Sequence, residues 1–229
     1  MEPKAKTAPT IDATYQRDWP AYFDAVQGLP PRETLTKALD ELWRSEFVAP
    51  TGVDALAIDI GCGEGRDSRE ILRRLPSVTL LATDASDHGL ARTKASVPPD
   101  DARRTKFEVC TMERLPRQFA GLGSETPVIL INASFALPFC EPDAFPALWA
   151  WIWATLTPGG CFAGQLFGDR DEWATIDPRR HHSRASVEAL LAGRETLWLD
   201  EAEKVGPDAM GGTKHHHVFH VVARKPGRG

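Results

Sequence analysis

The chain has 229 residues, 42% of them hydrophobic and 26% charged, the make-up of one globular domain with a full-sized core. Its formal net charge of −5 argues against a nucleic-acid partner, because phosphates recruit clustered Lys and Arg. No apolar stretch approaches the ~20 residues that span a bilayer.

From the start, "MEPKAKTAPT" has no apolar core segment and no cleavage-site pattern, so residues 1–11 are expected to be a disordered tail and not a secretory leader. "KPGRG" at 225–229 reads as a second tail. Residues 12–224 then form one domain, without repeats or a separating linker. It opens on a helical stretch over 12–48. "TYQRDWPAYFDAV" puts Tyr15, Trp19, Tyr22, Phe23 and Val26 at helical spacing. "PPRETLTKALDELW" begins with prolines, has Glu33 in its first turn and repeats Leu35, Leu39 and Leu42.

Short apolar strands are expected next at 55–60, 78–83, 106–110, 128–132 and 160–166, with helices between most of them. Trp149, Trp151 and Trp153 fall in a helical region and are expected to pack on the sheet. Runs such as "VILIN" imply burial on both faces, and strands alternating with helices imply βαβ units. The fold class is α/β, a doubly wound, mostly parallel sheet. "ETLWLD" and "HHHVFHVVAR", joined by a loop holding Gly206, Pro207, Gly211 and Gly212, read as a hairpin that makes the last strand antiparallel. The cysteines Cys62, Cys110, Cys140 and Cys161 have neither C-x-x-C spacing nor a zinc-ligand His nearby. Buried free thiols, no metal site and a reducing, cytoplasmic setting follow as expectations.

In an open α/β sheet, ligands bind beyond the carboxyl ends of the strands. The first strand, "ALAIDI", delivers "GCGEGRD" to that place. A P-loop needs a Lys-Ser or Lys-Thr pair that is missing here. A dinucleotide turn needs G-x-G-x-x-G, and Arg66 stands where its third glycine belongs. Asp59, Glu64 and Asp67 would also repel a pyrophosphate. A cationic ligand without phosphate fits better, and S-adenosylmethionine carries a sulfonium and an α-amino group. Asp84 closes the next strand, "VTLLATD", roughly 20 residues beyond Gly61, where a βαβ unit places its ribose acceptor.

"IDIGCGEGRD" with "TDAS" resembles motifs I and II of the class I S-adenosylmethionine-dependent methyltransferases. "FEVCTMERLP" resembles their adenine-recognising third-strand region, although Thr111 stands where an aspartate is common. "VILINASFALPF" resembles motif IV, without the aspartate often found at its head, and "LTPGGCFAGQLFG" resembles the turn into the fifth strand. "LFGDRDEWA" and "KHHHVFHVVAR" suggest the small-molecule, tellurite-resistance-type neighbourhood. The resemblance implies a seven-stranded Rossmann-like sheet and methyl transfer to a small-molecule acceptor by in-line displacement. It implies cofactor contacts from Asp59, Gly61, Cys62, Gly63, Gly65, Arg66, Asp67, Asp84, Ala85, Thr111, Met112, Glu113, Asn132 and Ala133. It also implies that the first helix covers the cofactor as a lid, with Trp19, Tyr22 and Phe23 excluding water.

Each of these residues has a plainer alternative. Asp67 is equally a helix cap, Arg32 is a partner for the methionine carboxylate or a solvated arginine, and Tyr15, Trp19 and Tyr22 are a lid or core packing. In "HHH" only His215 and His217 share a strand face, and they are expected near the mouth of the site. There they could contact the substrate or accept a proton; with Tyr22 they are the candidate catalytic residues, and no general base is identified. The loops 133–143, 167–185 and 200–214 carry no acceptor motif. Two other functions stay open: an NAD(P)-dependent oxidoreductase on the same architecture, and a catalytically silent S-adenosylmethionine-binding module.

Overall fold

A computed structural model describes residues 18–45, 54–124, 126–175 and 180–227. The expected tail at 1–11, Tyr15 and both ends of the expected 12–48 helical stretch lie outside the described residues. α1 (Trp19–Val26) is capped by the Asp18 carboxylate, which accepts from Ala21 N at 3.0 Å, and carries Pro20 in its first turn. α2 (Glu33–Arg44) buries Leu35, Ala38, Leu39 and Leu42 on one face, at helical spacing.

Strand and helix then alternate: β1 (Ala55–Ile60), α3 (Arg66–Arg74), β2 (Val78–Asp84), α4 (Asp87–Ser96), the short α5 (Pro99–Ala102) and β3 (Thr105–Val109). After α6 (Leu115–Gln118) come β4 (Val128–Ala133), α7 (Phe145–Thr155), β5 (Leu156–Gly168), a two-residue β6 (His181–His182) and α8 (Arg184–Leu191). β7 (Glu195–Pro207) and β8 (Thr213–Arg224) close the chain.

The strand order is β3-β2-β1-β4-β5-β8-β7, with β6 added at the end of β5. β1 to β5 run parallel, and β8 is antiparallel to both neighbours. The expected class, including the antiparallel last strand, is the observed one. The hairpin is longer than expected, since Gly206 and Pro207 lie inside β7. β7 is an edge strand, where a residue without an N–H is tolerated. The loop shrinks to residues 208–212, tied by the Asp208 carboxylate to Met210 N and Gly212 N, each at 2.8 Å.

β1 and β4 are buried along their whole length, because helices cover both sheet faces. One face carries α2 and α3. The other carries α7, where Trp149 and Trp153 pack on Phe162 of β5. Trp151 lies about half a turn away on the helix. It is buried in the same core without touching Phe162 in the same way, and its indole donates to Phe119 O at 3.2 Å. The four cysteines are buried and unpaired. Among the described residues, no helix is long and apolar enough to cross a membrane.

Candidate functional site

The carboxyl ends of β1, β2 and β4 meet at a cavity of about 500 Å³. Its floor is the turn between β1 and α3. Gly61 N and Cys62 N donate to Thr83 O at 2.8 and 3.0 Å, which pins the turn to β2. Gly61 has φ +68, and a Cβ there would stand 2.7 Å from the Ala136 Cβ. Gly63 has φ +58 and lies against the Phe23 ring. Any larger residue would push the turn off the loop after β4, or α1 off the turn.

Under this floor sits a knot of acids. Asp59 is 1% exposed and Asp67 4%. Asp59 accepts from Ser68 Oγ at 2.6 Å and from Asn132 Nδ2 at 2.8 Å. The same Nδ2 lies 3.3 Å from Asp67 Oδ2, and Asp67 Oδ1 accepts from Arg32 N at 2.9 Å. Burial, then the adjacent Asp67, pushes the Asp59 carboxyl up to about 7. Asp84 accepts from Gly63 N and Ser86 N, each at 2.8 Å, and burial raises its pKa also. Glu64 is different, because Arg69 pairs with it at 3.2 Å. Among the described residues, Asp59, Asp67, Asp84 and Glu113 line the cavity without an ion pair. A cavity with that surplus suits a cation and repels phosphate.

Of the residues implied as cofactor contacts, Asp59, Gly61, Cys62, Gly63, Arg66, Asp67, Asp84, Ala85, Thr111, Met112 and Glu113 line the cavity. Four do not. Gly65 is the N-cap of α3 and lies against Thr93 and Ser96 of α4. Asn132 is fully buried beneath the wall, holding Asp59 and Asp67, and Ala133 is in the core. The Arg32 guanidinium stacks 4.4 Å above the Phe135 ring. Asp67 makes no cap bond to its own helix; it ties α2 to α3 instead.

Tyr22 lines the cavity with Trp19 and Phe23, on the inner side of α1. Trp19 meets Phe139 edge-on at 5.2 Å. The histidines are a correction. β5 ends at Gly168 and pairs with β8 only from Val218 onward, so residues 215–217 lie beyond the cavity in the projecting hairpin. His217 is fully buried there, its Nδ1 accepting from Arg170 N at 3.1 Å and its Nε2 lying 2.9 Å from Glu201. A side chain at Gly168 would overlap its ring. His215 stands 3.1 Å from Glu203. Arg170 pairs with Glu201 and Glu203 beside them, each at 2.8 Å.

Sequence reasoning missed Ser68, which holds Asp59, and Ser86, Ser134, Phe135, Ala136 and Phe139, which line the cavity. Phe135 has φ +53, the one non-glycine residue in the left-handed region among the described residues. Its N–H donates to Gln165 Oε1 at 2.8 Å, and Gln165 Nε2 donates to Thr34 Oγ1 at 2.8 Å. Only the N-A-S-F stretch after a buried strand hinted at this loop.

Residues 57–160 match the family described as "Methyltransferase domain". The trans-aconitate 2-methyltransferase of Methylobacterium nodulans is 30% identical over 153 residues, 66% of this chain and 52% of that one. The enzyme of the same name from Deinococcus radiodurans is 31% identical over 117 residues, 51% of this chain and 40% of that one. The chain spans about half the length of the curated relatives it matches. Among solved structures, TehB from Haemophilus influenzae superposes with a TM-score of 0.59 at 14% identity, covering 81% of this chain and 61% of that one. The N-methyltransferase NodS from Bradyrhizobium japonicum, in complex with S-adenosyl-L-homocysteine, gives 0.57 at 14% identity, covering 91% and 98%. At that identity the likeness shows the fold.

Proposed function

We propose that this chain is a class I S-adenosylmethionine-dependent methyltransferase, as its similarity to the methyltransferase domain and to two methyltransferases supports, and that it moves a methyl group from S-adenosylmethionine to a small-molecule acceptor. The carrying observation is the buried Asp59–Asp67–Asn132 knot beneath a glycine turn, with Asp84 one strand away. S-adenosylmethionine supplies a methyl group on a positively charged sulfur, and an acceptor lone pair displaces it without a nucleophile from the protein. Catalysis then falls to positioning and exclusion of water.

The residues divide that work. Asp84, held by two backbone N–H groups, is the acceptor for the ribose hydroxyls. Cys110, Thr111, Met112 and Glu113, with Ala85 and Ser86, form the adenine end. Asp59 and Asp67 take the amino group, and Asn132 holds both acids in place. Arg66, at the start of α3, meets the donor's carboxylate. Trp19, Tyr22 and Phe23 close the opposite wall and turn aromatic faces toward a cation. A nicotinamide dinucleotide is disfavoured by the same acids, which would face its pyrophosphate. Both curated relatives act, by their names, on a small acid, which supports a small-molecule acceptor. Unpaired buried cysteines fit a cytoplasmic setting.

The test is release of S-adenosylhomocysteine from S-adenosylmethionine across a panel of small acceptors that includes trans-aconitate. Acceptor-dependent release is expected. Binding of S-adenosylmethionine with no release above background for any acceptor would favour a silent binding module.

A further inference from the structure

No group of the donor is assigned to Arg32, and its surroundings are unusual. Its Nε is buried without a hydrogen-bond partner among the described residues. Among the described residues no carboxylate lies within ion-pair distance of its guanidinium, whereas Arg69, Arg74, Arg104 and Arg224 each hold an Asp or Glu. Its side chain bonds Tyr22; burial and the neighbouring Arg66 charge oppose its own charge, and the Asp67 carboxylate offsets them only in part. Among the described residues neither guanidinium has a carboxylate within ion-pair distance, and Arg32 stands at the edge of the cavity against Tyr22 and Phe135, which line it. A buried cation of this kind is costly until an anion meets it.

Position separates the two arginines. Arg66 opens α3 at the glycine turn and lines the cavity with the donor-binding groups. Arg32 stacks on Phe135, which follows β4. The Phe135 ring faces Phe167 of β5 at 6.5 Å and His220 of β8 at 6.2 Å. Arg32 therefore stands over the β4–β5–β8 side of the sheet, away from the adenine end at β2 and β3. The platform beneath it is rigid. Gln165 fixes the left-handed Phe135 from below and is itself tied to Thr34 at the start of α2. Strain retained at a wall residue and braced from two elements is a mark of a working surface.

We propose that the acceptor carries a carboxylate and that Arg32, seated on Phe135, binds it by charge-assisted hydrogen bonds. This rests on the methyltransferase reading and adds the chemical class of its substrate. One donor carboxylate occupies one guanidinium, Arg66, and the second guanidinium is left for the acceptor.

The experiment uses protein saturated with S-adenosylhomocysteine, so that the donor's own carboxylate subsite is filled. Trans-aconitate and tricarballylate are titrated calorimetrically, with the trimethyl ester of trans-aconitate as the uncharged control. At least one acid is expected to bind and the ester not to bind. In Arg32→Gln the acid's affinity falls about tenfold to a hundredfold, the range for a charge-assisted pair, and Arg32→Lys restores part of it. S-adenosylhomocysteine affinity stays within about twofold in both variants, which also reports that they are folded, and falls in Arg66→Gln. Failure of both acids to bind, or unchanged binding in Arg32→Gln, overturns the proposal. So does a tenfold loss of S-adenosylhomocysteine affinity in Arg32→Gln, which would give that arginine to the donor. Failure of S-adenosylhomocysteine to bind the unaltered protein would instead sink the methyltransferase reading.

Discussion

The two walls of the cavity are made of different chemistry by different means. The donor wall comes from adjoining strand ends, β1, β2 and β3, and presents carboxylates and turn backbone in register with the sheet. The facing wall is aromatic, and it is collected from α1 and from the loop after β4. The first wall recognises charge through groups fixed by the sheet itself. The second excludes water and depends on long-range bonds such as Gln165 to Thr34. Substitutions should therefore separate: donor-wall changes move cofactor affinity, and changes in the loop after β4 leave it in place.

The largest expected break is Asp84→Ala. It removes a carboxylate that receives Gly63 N and Ser86 N and, in this account, two ribose hydroxyls. Two charge-assisted bonds of about 1.5 kcal/mol each imply roughly a hundredfold loss of S-adenosylhomocysteine affinity by calorimetry. A loss below threefold would remove the ribose assignment.

Asp59 sharpens the comparison through pH. Its carboxyl titrates near 7, raised by burial and by Asp67. A bound ammonium favours the ionised form, so donor binding releases a proton below pH 7, and affinity drops as pH falls. The slope is at most about tenfold per pH unit, and Asp59→Asn should flatten it. The sign for stability is opposite. A folded-state pKa above the ordinary 3.8 makes the ligand-free protein lose stability as pH climbs from about 4 to 7. Melting curves across that range check it, and a rise in stability would contradict the burial of ionised Asp59.

Gly61→Ala tests the junction of the two walls. Its φ of +68 adds about 1–2 kcal/mol of strain for an L-residue, and its Cβ meets Ala136. The melting temperature should fall by several degrees. Adding Ala136→Gly should recover the clash but not the strain. The smallest effect belongs to Phe135→Ala, which should leave S-adenosylhomocysteine affinity within about twofold. A larger change would mean that the walls are not separable.

This contrast also explains what could be read from the chain. The glycine turn, Asp84 and the βαβ alternation are local patterns, and β1 falls at the expected residues 55–60. Phe135 could not be read in this way, because its left-handed backbone is imposed by Gln165, 30 residues away, and not by its own type. His215 and His217 were assigned the correct strand but not its register, since pairing with β5 starts only at Val218. Asn132 was legible as a site residue, yet its amide supports the acids from beneath the wall and does not line it.

The central claim is that the cavity is built for a cationic adenosyl donor and against a pyrophosphate. Calorimetric titration of the same protein with S-adenosylmethionine and with NAD tests it most directly. One-site binding of S-adenosylmethionine and no heat from NAD are expected. Saturable binding of NAD without binding of S-adenosylmethionine would contradict it.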